Sequence, residues 1–370
     1  ARDSTTLTVV PPATQLVLIS GDNQSASLLS PLPLPLVVEV QAADGLPVAG
    51  ATVTFAVLSG GGSVDSATAT TDLAGRASSG ATLGATVGAQ SFTAAASGTN
   101  SVTFSATATS GGVKTWTGAV SADWNTAGNW TPAALPTAGD SVAVIAGTPN
   151  DPTLTGNATM RALALQGTNA ALFVAGTLTV TGTVALPDTN SFIDFTSGQL
   201  AAGSVTLAGF QAFIDVTAGS AAVSGPITLS GNRAFFEAGP GSALGAATLS
   251  GTQAFLTHDG GTQGPITASG SSAFWEADGA VTVTGTPAVQ LSGTAFLNSS
   301  SAPVAVTING DVTVGGTAAF FDASGGGDHW TINGNLQTTG GGTLYMSQVT
   351  DTVEVNGNVS FGGGDESTQL

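Results

Sequence analysis

The sequence has no cysteine, so disulfides and thiolate metal sites are excluded and the redox compartment cannot be read from cysteine usage. Charge is also scarce. Asp, Glu, Lys and Arg make up 8% of the 370 residues, against roughly a quarter in an average soluble domain. Five basic residues stand against 23 acidic ones, a net charge of −18. Such a surface repels phosphate backbones and anionic headgroups, which argues against nucleic-acid and membrane-surface binding. Helix formers such as Lys, Glu and Arg are few, and no apolar run approaches the ~18 residues of a membrane-spanning helix, so no membrane insertion is expected of this segment. The chain starts at Ala1 without a basic-then-apolar leader. The expectation is a processed export product or part of a longer precursor, located outside the cell or on a bacterial surface.

What is abundant points to an all-β protein. Glycine contributes 52 residues, and 42% of the chain is hydrophobic, too much for a disordered low-complexity sequence. The apolar residues come in short runs alternating with Thr, Ser and Ala, as in half-buried strands. Between residues 14 and 108 lie the runs "TQLVLIS", "PLVVEVQA" (35–42), "ATVTFAVLS" (51–59), "GRASSGATL" (75–83), "AQSFTAAA" (89–96) and "SVTFSATA" (101–108). "ADG" (43–45), "GGG" (60–62) and "TDLAG" (71–75) supply turns between them, a spacing that predicts a β-sandwich. The same text, above all "PLVVEVQAADGLPVAGATVTFAV", "TTDLAGRAS" and "LGATVGAQSFTA", resembles the bacterial Ig-like domain of intimin- and invasin-type adhesins. That resemblance implies a structural spacer without catalytic residues.

Ahead of this domain, "TTLTVV" contains Thr6, Leu7, Thr8, Val9 and Val10 and is closed by Pro11-Pro12. It reads as a strand followed by a stiff connector. It is either the last strand of a preceding sandwich, an extra edge strand, or a strand donated to a neighbouring molecule.

Residues 109–114, "TSGGVK", read as a linker, and 115–150 as a cap rich in tryptophan. Trp116, Trp124 and Trp130 could form a carbohydrate-stacking platform or a plug over the open end of a solenoid; the plug is the expectation. The pattern Trp-x-Gly…Trp-(5)-Trp…Pro…Asp-x-Val resembles the segment opening many bacterial surface β-helix domains.

From 151 to 364 the chain repeats Gly-x-x-Ala-Phe-apolar-acid: "GNRAFFEAGP" at Gly231, "GSSAFWEADG" at Gly270, "GTAAFFDASG" at Gly316. Starting at Leu172, the column runs Phe192, Phe213, Phe235, Phe255, Phe274, Phe296, Phe320 and Leu344, with steps of 19 to 24 residues. A second strand per period ends in Gly ("LTVTG", "VTLAG", "ITLSG", "VQLSG"), and later coils stack Asn309, Asn333 and Asn356. A coil of about 22 residues with two or three short strands predicts a right-handed parallel β-helix with rungs ~4.8 Å apart. The expected fold is therefore an Ig-like β-sandwich followed by a parallel β-helix, with residues 1–13 an N-terminal strand and connector and 365–370 a tail.

Alternation puts Phe213 and Asp215 on one face and Ala212 and Ile214 on the other, yet both central columns are apolar. The simpler arrangement is a corner bend burying both columns. The alternative is an outward phenylalanine stripe beside Asp194, Asp215, Glu237, Glu276 and Asp322, a contact surface for another chain or for sugar rings.

No catalytic signature is present. Arg161 and Arg233 are the solenoid's only cations besides histidine, the acids stand one per coil, and His258 and His329 are expected in turns. A row of carboxylates could attract loosely held Ca²⁺, but its spacing supplies no cage, so no cofactor or metal is expected. The functional expectation is a non-catalytic surface protein that assembles head-to-tail with itself. The other reading is an adhesin fragment that binds a glycan or a host protein.

Overall fold

The computed structural model describes residues 12–299, 303–316, 320–322, 327–345 and 350–362, with the backbone alone for 320–322, 344 and 345. The strand read at residues 5–10 lies outside the described residues. The described residues are all-β apart from one short 3-10 turn, Ala127–Asn129. It divides into two compact units: Ala1–Gly112 with Thr137–Asp140, and Val113–Pro136 with Ser141–Leu370.

The first unit is an Ig-like β-sandwich. One sheet orders Ala13–Ser20, Leu36–Ala42 and Arg76–Ser79; the other orders Gln24–Ser27, Val102–Thr109, Gly88–Ala96, Thr52–Ser59 and Thr68–Thr70. Strict alternation decides which side chains enter the core. Leu36, Val38 and Val40 are fully buried, while Val37, Glu39 and Gln41 between them stay partly exposed. Val53, Phe55, Phe92 and Phe104 meet them from the opposite sheet.

The second unit is a parallel β-solenoid with three strands per coil; one coil is Phe213–Val216, Gly219–Val223 and Ile227–Leu229. The phenylalanine strands stack into a ten-stranded sheet, and the other two columns share a 21-stranded one. Registers run straight up the stack: Phe213 opposite Phe235, Ala222 opposite Ala243, Leu229 opposite Leu249. The Gly-ended strands prove to be two columns, not one. Leu178–Val180 stacks toward Val306–Ile308 and Trp330–Ile332, whereas Val205–Leu207 stacks toward Ile227–Leu229 and Val289–Leu291. The asparagine ladder lies on the first of these. Asn333 Nδ2 donates to Asn309 Oδ1 (2.8 Å), and Asn356 Nδ2 to Asn333 Oδ1 (2.9 Å).

One hydrophobic core runs from Trp116 to Leu336. At its first coil Trp116, Trp124 and Trp130 are 1–2% exposed and pack on one another, with ring centroids 4.7–6.3 Å apart. Two of their N–H groups have backbone partners: Trp116 Nε1 donates to the Asn150 carbonyl (2.8 Å), Trp130 Nε1 to the Trp124 carbonyl (2.9 Å). Buried Asn129 braces the loop over them, accepting from the Val120 and Ser121 N–H groups and donating to the Asp123 carbonyl. Buried this way, the rings offer no face to a sugar.

Candidate interaction face

Each position of the repeated Gly-x-x-Ala-Phe-apolar-acid motif has a physical reason. The Gly packs coil on coil: a Cβ on Gly231 would lie 2.0 Å from the Gly209 carbonyl oxygen, so no side chain fits. The residue before Ala turns the chain in the left-handed region, at φ 53° for Gln211, 56° for Arg233, 54° for Gln253 and 52° for Ser272. That conformation is costly for a side-chain-bearing residue. The stacked turns hold it by hydrogen bonding. Gln211 N–H donates to the Asn232 carbonyl (2.9 Å), Arg233 N–H to Thr252 (2.8 Å) and Gln253 N–H to Ser271 (2.8 Å). Ala212, Ala234, Ala254 and Ala273 then fill the inner corner with no exposed surface.

The strand that follows does not bend, which corrects the expectation that both apolar columns are buried. Ile214, Phe236, Leu256, Trp275 and Leu297 point inward with no exposed surface, and Phe213, Phe235, Phe255, Phe274 and Phe296 point outward, half-buried. Alternation wins because every strand keeps its ladder bonds in the sheet. The ends of the column also shift by one residue. Ala171, not Leu172, pairs with Phe192, and Thr343, not Leu344, pairs with Phe320; a one-residue slip exchanges faces. The side chain of Phe320 lies outside the described residues.

The outward rings cover one another in two blocks. Phe192 stacks on Phe213 (4.9 Å, 4° between planes); Phe235 stacks on Phe255 (4.9 Å, 13°), and Phe255 tilts onto Phe274 (3.8 Å, 31°). A groove of about 550 Å³ opens along the first of these coils, with Phe192, Phe213 and Phe235 as its floor and Asn169, Asn190, Gln211, Arg233 and Asp215 around it.

Two residues beyond each Phe stands the outer polar row: Asp194, Asp215, Glu237, Thr257, Glu276 and Asn298, in register. Burial against the rings, reinforced by Asp215, Asp259 and Asp278, pushes Glu237 up to about 7. Burial also raises Asp194, Asp259 and Glu276, with nearby carboxylates adding to each. Asn298 Nδ2 donates to Glu276 Oε1 (3.1 Å), and the Thr217 N–H and hydroxyl both donate to Asp215 Oδ1 (2.9 and 2.7 Å). Among the described residues no group of three or more His, Asp or Glu side chains has the geometry to hold a metal ion.

The histidines stand in strands rather than in turns. His258 is completely buried, and its pKa falls to about 4 because burial disfavours the cation. The Gly260 N–H donates to Nδ1 (3.3 Å), so the Nε2–H tautomer faces the Thr262 carbonyl (3.2 Å).

The turn residues Asn190, Gln211 and Arg233 were not among the sequence candidates. Their signal was available: the second position before Phe carries Asn, Gln, Arg, Gln and Ser from Asn190 to Ser272, polar side chains with no role in the core.

Residues 115–201 match a family model described as a domain of unknown function (DUF8693). No curated protein matches the chain. Among solved structures, the chain is similar to the D00-D0 domain of intimin (21% identity, TM-score 0.20, covering 26% of this chain and 50% of that one). It is also similar to the D0-D1 domain of intimin (20%, TM-score 0.19, covering 25% and 48%). A third is the C-terminal 282-residue fragment of intimin in complex with the intimin-binding domain of the translocated intimin receptor (22%, TM-score 0.21, covering 28% and 34%). The chain thus spans half or less of each of these structures.

Proposed function

We propose that this is a non-catalytic protein of the bacterial cell surface, adhesin-type or structural, in which the sandwich is a spacer and the outward phenylalanine face of the solenoid makes the contact. The observation that carries the reading is that face: half-buried aromatic rings on successive rungs, from Phe192 to Phe296, on one side of the solenoid. Isolated proteins seldom leave such a stripe uncovered.

Its surroundings favour contact over chemistry. His258 is sealed in the core, bonded on both ring nitrogens, and beyond reach of any substrate. Asp215 and Glu237 occupy adjacent rungs and Glu237 holds its proton to about 7, as the acid of a glycosidase does. Here the rise follows first from burial, with Asp215, Asp259 and Asp278 adding to it, and burial likewise leads at Asp194 and Glu276 along the same row. Reducing ends released from oligosaccharides by the protein, and lost in Glu237→Gln, would overturn the non-catalytic reading.

The direct test coats beads with the protein and with a Phe213→Ser, Phe235→Ser, Phe255→Ser variant, then measures adherence to bacterial and host cells and self-association by light scattering. The variant should lose adherence or self-association while it still melts cooperatively, at a lower temperature than the parent. Equal behaviour of the two proteins would sink the reading. Its finer form is the head-to-tail homopolymer, supported by the strand-forming text "TTLTVV" at residues 5–10. Filaments seen by negative stain should vanish when residues 1–10 are deleted, and a parent that stays monomeric removes the polymer.

A further inference from the structure

We infer that the break in the phenylalanine column between Phe213 and Phe235 seats one ring of a neutral glycan. The inference rests on the adhesive reading above and gives it a site and a ligand class.

The break is real in the geometry. Phe213 and Phe235 are in register on adjacent rungs like every other pair of the column, and the pairs to either side stack at 4.9 Å. Between these two no ring contact forms. The ring surfaces they turn toward each other therefore lack the aromatic cover that Phe255 has on both sides. The groove of about 550 Å³ includes both rings, a size within the range of small-ligand pockets.

The chemistry around the break selects the ligand. An aromatic face is electron-rich and attracts the slightly positive C–H groups on one side of a sugar ring. At the edges stand Asn190 and Gln211, each with a donor and an acceptor, Arg233 with donors only, and Asp215 with acceptors only. These groups are free to act. Both bonds from Thr217 fall on Asp215 Oδ1, leaving Oδ2 without one among the described residues; Arg233 is held through Nε to Gln253 Oε1 (2.9 Å), leaving its Nη groups. A mixed set of this kind suits hydroxyls, which donate and accept, and would be left unpaired by a hydrocarbon or a peptide side chain of aliphatic type.

Charge decides against the other occupants. Asp215, Glu237 and Glu276 line the same face of a chain with net charge −18, so a polyanion is repelled, and so is the same acid row on a second copy. A neutral polyhydroxylated chain meets neither penalty.

The test titrates the whole chain with cellohexaose, laminarihexaose and chitohexaose, and with hexagalacturonate as the anionic comparison, by saturation-transfer NMR and calorimetry. At least one neutral hexasaccharide should bind saturably with a Kd of about 1 mM or tighter, and hexagalacturonate about tenfold more weakly or not at all. Phe213→Ala should weaken binding about tenfold or more, while Phe274→Ala, in the other stacked block, leaves it unchanged. Phe213→Leu serves if the alanine variant fails to fold. Failure of all three neutral probes, preference for hexagalacturonate, or binding that survives both Phe213 variants would overturn the site. Bead adherence that still depends on the phenylalanine face, with no glycan bound, would overturn this inference and spare the adhesive reading; glycan binding at Phe213 without adherence would do the reverse.

Discussion

Phe235 and Phe236 are neighbours of one residue type with opposite surroundings. Phe236 lies inside the coil with no exposed surface, between Ile214 and Leu256 of the adjoining rungs; Phe235 lies outside, half-buried, its ring on Phe255. The inner column belongs to one core running from Trp116 to Leu336, so it carries stability. The outer column is half covered by its own repetition, which keeps aromatic surface soluble in a monomer and still open to a ligand. One strand thus separates folding from recognition by a single residue step.

That contrast can be broken at several points. The largest effect belongs to the end of the inner column: replacing Trp124 and Trp130 together by Ala empties two core sites, at about 3–5 kcal/mol each before any relaxation. The solenoid should fray from that end and aggregate, seen as loss of the cooperative melting transition; a variant that melts like the parent removes the tryptophans from the core's account. Next, Phe236→Ala should cost about 3–5 kcal/mol in urea unfolding. Phe255→Ala, one rung up and outside, should cost only about 1–2 kcal/mol, the loss of its two ring contacts and part of its burial. Equal losses at the two sites would erase the distinction.

The same inner and outer sides titrate in opposite senses. Glu237, outside, has its pKa raised from 4.5 to about 7. Between those values the folded protein keeps a proton that the unfolded chain has released, so stability falls as pH rises through the window. His258, inside, has its pKa lowered from 6.5 to about 4. There the unfolded chain takes up the proton first, so stability falls as pH drops through that window. Between 4.5 and 6.5 the two slopes oppose each other, so the parent's melting temperature should change little there. Glu237→Gln should leave stability falling toward acid, and His258→Gln should leave it falling toward neutral pH; profiles parallel to the parent's would show that neither group is coupled to folding. The smallest effect is expected at the turn ladder, where Ser272→Asn, better suited to φ 52°, should stabilise by about 0.5 kcal/mol in the same urea measurement.

Much of this was legible in the sequence. The period fixes the coil, and Gly-x-x-Ala-Phe marks corner, turn and strand. Which apolar column faces in was not legible from alternation alone, since Phe-Phe, Phe-Ile and Phe-Trp pairs give two apolar faces and no sign. The Ala before each Phe held the answer: it shares a face with the residue after Phe, and a small residue at every corner suits the crowded inside of a coil. Leu172 and Leu344 misled because they match Phe in character while sitting one step off in register. The two Gly-ended columns merged because "VTLAG" and "LTVTG" share a composition, and only hydrogen-bond partners tell them apart. The break between Phe213 and Phe235 depends on ring orientation, which a one-dimensional pattern does not carry.

The parallel registers between successive coils have a mechanical meaning. Every inter-coil backbone bond, from Phe213–Phe235 to Leu336–Val359, joins one rung to the next, so tension applied along the stack loads a single layer of bonds at a time. Such a stack yields by peeling, coil after coil, each release adding about 22 residues of slack. A tether built this way would lengthen under load in small steps and keep its remaining coils, with their grooves, in place.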